Sequence, residues 1–115
     1  MSAAIDFNHL ELYVGGDDAL RREILTIFTE QADRWIAALD AYLPDGEWRD
    51  AAHALKGAAR GVGAWTVGDL CEAAEALVGE GAEKLASRQM LLSELGAEVA
   101  HAVAAARYRR DCSAC

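Results

Sequence analysis

The chain has 115 residues, 53% of them hydrophobic, with one proline and a formal net charge of 11 − 19 = −8. That is enough chain and apolar material for one domain with a real core, and the acidic balance argues against a phosphate-backbone partner, so nucleic acid is excluded as the natural ligand. No apolar run is long enough to span a membrane and the N-terminus lacks a basic-then-apolar leader, which points to a cytoplasmic address with no membrane partner.

Ile5, Leu10 and Leu12 mark a short N-terminal segment of one or two helical turns, broken by the Gly-Gly-Asp-Asp run at 15–18. Asp17 or Asp18 can cap the next element, because a short carboxylate accepts the free N–H groups of a helix start. From 18 to 43, Leu20, Ile24, Ile27, Phe28, Trp35, Leu39 and Tyr42 follow helical spacing, and Pro44-Asp45-Gly46 reads as a turn. A third element is expected over about 46–61, ended by Gly61 and Gly63. Thr66 is a plausible cap for a fourth over 66–79, with Val67, Leu70, Ala74, Leu77 and Val78 on one face. The Gly-Glu-Gly run at 79–81 separates it from a fifth over 82–108, striped by Leu85, Leu92, Leu95, Val99, Ala102, Val103 and Ala106. Only two short runs favour strand, so the reading is all-α: an antiparallel up-down four-helix bundle with a short extra N-terminal helix, residues 1–110 forming one domain and 111–115 a flexible tail.

The third element holds the unusual stretch, AAHALKGAARGVGAW at 51–65. At about 100° per residue, Arg49, Asp50, Lys56, Gly57 and Arg60 all fall within about 60° of His53, whereas Ala51, Leu55, Ala58 and Val62 fall on the opposite, core-facing side. His53 therefore points to water with cations beside it and a glycine one turn on. Imidazole is a nucleophile when neutral, and its ordinary pKa of about 6.5 keeps it largely so at cell pH. A phosphoryl group on its outer nitrogen would be negative, so Lys56 could neutralise it with help from Arg60, and Gly57 would leave clearance for the group or an incoming partner. Taken singly, each feature has an ordinary explanation: an exposed surface histidine, a common lysine spacing, a glycine for close helix packing.

Together, HALKGAARGVG resembles the signature of histidine phosphotransfer (HPt) domains: His, two residues, Lys-Gly, five residues, Gly, met here by His53, Lys56, Gly57 and Gly63. The resemblance covers about residues 10–108. It implies a four-helix bundle that is not an enzyme but a phosphocarrier, accepting a phosphoryl group from a receiver-domain aspartate or a kinase and passing it to another receiver. It implies response-regulator receivers or a hybrid histidine kinase as partners, no cofactor or metal of its own, Mg²⁺ supplied by the receiver, and a monomer. The chemotaxis-kinase relatives further imply that a glutamate on the following helix holds the inner nitrogen of the histidine. Glu75 suits that role, and Glu72, one turn earlier, competes for it. A start at Met1 favours a free-standing protein.

Other chemistries draw less support. His9 and His101 lack a paired E-x-x-H arrangement, and the single one at Glu98–His101 is too little for a bundle-core metal centre. Cys71, Cys112 and Cys115 form no disulfide framework, and Cys112-Ser-Ala-Cys115 closes a tail without nearby ligands. No phosphate-cradling glycine loop is present. Trp35, Trp48 and Trp65 are expected in packing roles, with part of Trp65 exposed near a docking face. That face is expected to be modestly apolar with a polar rim, with Ala54, Gly57, Gly61 and Ala64 as contributors. The alternative to a phosphocarrier is a helical module that docks a signalling partner without being phosphorylated.

Overall fold

The computed structural model describes residues 3–111, and these form five helices and no strand: α1 (Phe7–Val14), α2 (Asp18–Ala37), α3 (Asp45–Val62), α4 (Trp65–Glu75) and α5 (Lys84–Asp111). Cys112 and Cys115 lie outside the described residues, and α5 continues through Asp111, the first residue of the expected tail.

The helix starts follow local chemistry. Asp6 caps α1 by accepting from the N–H groups of Asn8 and His9, and Asp17 caps α2 by accepting from Leu20. α3 starts after Pro44 with no side-chain cap, but Asp45 and Glu47 in its first turn suit the positive end of the helix dipole. Thr66 does not cap α4: the cap position is Ala64, which makes no side-chain bond, and Thr66 lies inside the helix. α2 ends at Ala37, six residues before the expected 43, with Leu39 and Ala41 buried from the following turns and Tyr42 exposed. α4 likewise ends at Glu75 rather than 79.

Helices α2, α3, α4 and α5 each pack on two neighbours in a closed order, α2 on α3, α3 on α4, α4 on α5 and α5 on α2, with α1 laid over α2 and α3. The core between them is Leu25, Phe28, Ala32, Trp48, Leu55, Val67, Cys71, Leu95 and Val99, with small alanines where the helices approach closely. The buried stripe of α3 is Trp48, Ala52, Leu55, Ala59 and Val62, about 50° round from the expected one. Ala51 and Ala58 are only half-buried. The bulk of Trp48 sets this orientation, because an alanine-rich helix offers little else to choose between its faces.

Two ties fix the ends of the bundle. At one, Gly63 sits at φ 85° and a Cβ there would lie 2.5 Å from the Asp6 carbonyl oxygen, so only glycine allows the N-terminal segment to donate from Asp6 N–H to Gly63 C=O at 2.8 Å. Trp65 adds its indole N–H to the Asp6 carboxylate at 3.1 Å and stacks edge-on with His9. At the other, Arg88 of α5 is 1% exposed yet donates to the carbonyls of Ala41, Leu43 and Leu77 and to the Asp45 carboxylate, with its guanidinium 4.5 Å from the centre of the Trp48 ring. A buried cation is costly unless its donors are met, and here carbonyls and a carboxylate meet them.

Candidate functional site

The turn at Gly63 and Ala64 brings α3 and α4 side by side, and side-chain bonds join them in opposite sequence order. Arg60 donates to Glu72 at 3.0 Å and lies 3.6 Å from Asp69; Lys56 donates to Glu75 at 2.6 Å; and His53 Nδ1 lies 2.7 Å from Glu75 Oε1. Glu75, not Glu72, is therefore the carboxylate at the histidine, and Arg60 is occupied one turn away. Glu75 spans its two neighbours with separate oxygens, Oε1 on His53 and Oε2 on Lys56.

Exposure divides the three. The His53 side chain is 72% exposed, whereas Glu75 and Lys56 are each 17% exposed beneath it. Hydrogen bonding from Lys56 outweighs partial burial and, with the His53 contact, holds the Glu75 carboxyl below its ordinary 4.5. An ionised carboxylate only accepts, so the network assigns the proton between the two groups to Nδ1. In the neutral ring that leaves the lone pair on Nε2, the atom away from Glu75. Cys71, one turn before Glu75, is sealed in the core, and burial together with the Glu75 charge pushes its thiol up to about 12, so it stays an inert thiol.

Beside the ring the surface is open. A Cβ on Gly57 would meet nothing within 4 Å, and the same holds at Gly61. Close helix packing therefore does not explain either residue. Both line a groove of about 320 Å³ between α2 and α3, together with Ile24, Ile27, Phe28, Trp35, Ala58 and Val62. Ile27, expected in the core stripe of its helix, is 50% exposed there, and Leu20 is also exposed. Of the other expected contributors to a docking face, Ala54 is exposed but Ala64 is fully buried in the α3–α4 turn, and Trp65 belongs to the N-terminal tie rather than to this groove. What the sequence reading missed is the Lys56–Glu75 bond and the groove itself; the surplus of apolar residues on α2 was its only signal.

His101 lies 4.0 Å from Glu98 on an exposed face, and among the described residues no group of three or more His, Cys, Asp or Glu side chains is disposed to hold a metal. Among them, too, no helix is long and apolar enough to cross a membrane.

A family model of the Hpt domain matches residues 23–107. The chain belongs to the Hpt domain family. The match takes in most of α2, all of α3 and α4 and nearly all of α5, leaving out α1, and so covers the four helices that pack in closed order. No curated protein and no solved structure matches the chain. Membership of the HPt family carries a general role in phosphorelay histidine phosphotransfer, that of a phosphocarrier rather than a catalytic enzyme. His53, Lys56, Gly57 and Glu75 all lie within the matched span.

Proposed function

We propose that this HPt domain is a phosphocarrier of a two-component phosphorelay, loaded on His53 by a receiver-domain aspartyl phosphate or a kinase and unloaded onto another receiver. The observation that carries the reading is the Glu75 carboxylate 2.7 Å from Nδ1 of an otherwise exposed ring. With Nδ1 protonated, the Nε2 lone pair attacks phosphorus, the N–P bond forms, the bond from phosphorus to the aspartate oxygen breaks, and the electron pair leaves with the aspartate carboxylate. The ring then carries positive charge, and Glu75 faces the nitrogen that keeps its proton. Lys56 acts first through Glu75, holding its second oxygen and so the carboxylate in place beside the ring. In this reading its ammonium also helps to neutralise the phosphoryl group, while Arg60 is engaged by Glu72. Gly57 and the Ile24–Ile27 groove give a receiver room to seat. Mg²⁺ would arrive with that receiver. In the same reading residues 1–110 form one cytoplasmic, monomeric, antiparallel bundle that has no turnover of its own.

The test is transfer from a phosphorylated receiver to this chain, run beside His53→Gln, with the product assayed for the acid lability and alkali stability of phosphohistidine. Label on the wild type alone supports the reading, and label on both places the phosphoryl group elsewhere. The open apolar groove also favours a second reading, a docking module that is never phosphorylated. It predicts receiver binding with no label on the folded wild type and unchanged binding by His53→Gln.

A further inference from the structure

Glu75 is the last residue of α4, where a helix is least secure. α1 and α3 end on the left-handed glycines Gly15 and Gly63, but α4 ends on Ala76 with helical backbone angles, closed locally only by short-range bonds from Ala76 N–H to the Ala73 carbonyl and from Leu77 N–H to the Ala74 carbonyl. Non-local bonds reinforce that end. The Trp48 indole N–H donates to the Ala74 carbonyl at 2.7 Å, the residue before Glu75, in a fully buried contact. Arg88, stacked on the same indole, donates to the Leu77 carbonyl at 2.9 Å, two residues after it. Trp48 belongs to α3, the helix that carries His53 and Lys56, so its indole sets the end of α4 directly against the helix whose side chains Glu75 must reach.

We infer that Trp48, backed by Arg88, is a positioning residue for the phosphotransfer site: by holding the carbonyls on either side of Glu75 it places that carboxylate to span His53 and Lys56. Trp48 touches neither the ring nor a phosphoryl group and acts only through Glu75. The inference rests on the phosphocarrier reading for its rate measurement but not for its spectroscopic one.

The experiment compares wild type, Trp48→Phe, Glu75→Gln and the double variant. Phenylalanine keeps most of the packing and removes the N–H. If it does not fold, benzothiophene in place of the indole, with sulfur at the N–H position, keeps the shape. ¹⁵N NMR of the His53 ring reads the tautomer, and transfer from a phosphorylated receiver reads the rate. The expected result is a folded Trp48→Phe with a reduced Nδ1–H share on His53 and transfer slowed by about two- to tenfold, the scale of one net hydrogen bond. In the Glu75→Gln background the same change should slow transfer no further. A wild-type tautomer or wild-type transfer in the folded variant overturns the inference, as does a full additional slowing in the double variant, which would mark a merely structural role. If the wild type takes no phosphoryl group from any receiver, the phosphocarrier reading falls, and the tautomer comparison alone decides the positioning role.

Discussion

Asp45 accepts from the guanidinium of Arg88 and the ammonium of Lys84, and Glu75 accepts from the ammonium of Lys56 and faces the ring of His53. Each is a carboxylate shared by two basic groups, and each joins segments far apart in the chain. They differ in what the second partner can do. Arg88 is sealed and tied to three carbonyls, so it cannot leave that cluster without opening the bundle. His53 stands largely in water, and in the proposed role it takes up and gives away a phosphoryl group while its inner nitrogen stays held. Similar parts make a fastening in one place and, in the proposed role, a reactive site in the other, and exposure of one partner is the difference.

His53→Gln should separate the two most sharply: phosphoryl acceptance is lost entirely, while stability in urea stays within about 0.5 kcal/mol of wild type, as for surface changes generally. Arg88→Met is the converse. It leaves carbonyls of two connecting segments unmet and Asp45 with Lys84 and the Gly79 N–H, and should cost about 3–5 kcal/mol in urea unfolding, with a smaller slowing of transfer in the molecules that stay folded. Glu75→Gln should slow transfer by about tenfold or more, as one charge-assisted hydrogen bond is weakened, and shift stability by at most about 1 kcal/mol. Gly57→Ala sets clearance against propensity: the fold should gain about 0.5–1 kcal/mol, since alanine is the better helix residue and its Cβ meets nothing, while transfer slows. Equal transfer by that variant would remove Gly57 from the docking face.

The smallest effect is in pH. Both carboxyls lie below their ordinary values in the folded chain, Asp45 chiefly through Lys84 and the Gly79 N–H, Glu75 chiefly through Lys56. A lowered folded pKa means that the unfolded chain binds protons first. The stabilisation is thus complete above the ordinary values of 3.8 and 4.5 and is lost as pH falls through the lowered ones. The urea midpoint should therefore stay level down to about pH 5 and then decline, and Glu75→Gln should reduce that decline.

Much of this was legible in the sequence: five helices in order, the motif helix, and the polar face on which His53, Lys56 and Gly57 sit. The failures have physical causes. Leu39 and Tyr42 continue the spacing of α2 past its true end because apolar residues in a tight turn can keep helical intervals. In α3, Ala51, Ala52, Ala58 and Ala59 are nearly equivalent by composition, so only the packing of Trp48 decides which pair is buried. Glu72 and Glu75 lie one turn apart, and choosing between them needs the register of α4 on α3, which the Gly63–Ala64 turn sets. Arg88 reads as an ordinary helix arginine until the carbonyls of two other segments are brought round it.

The three tryptophans have a practical consequence. Trp48 is sealed and hydrogen-bonded, Trp65 is stacked on His9 at the N-terminal tie, and Trp35 lines the groove beside Gly57. Their emission therefore reports on three separate places: Trp48 shifts to the red only when the bundle opens, Trp65 responds when the N-terminal segment leaves its tie, and Trp35 responds to whatever fills the groove. With single-tryptophan variants, the molecule carries its own optical probes for distinguishing a partner that seats beside His53 from a change that loosens the fold.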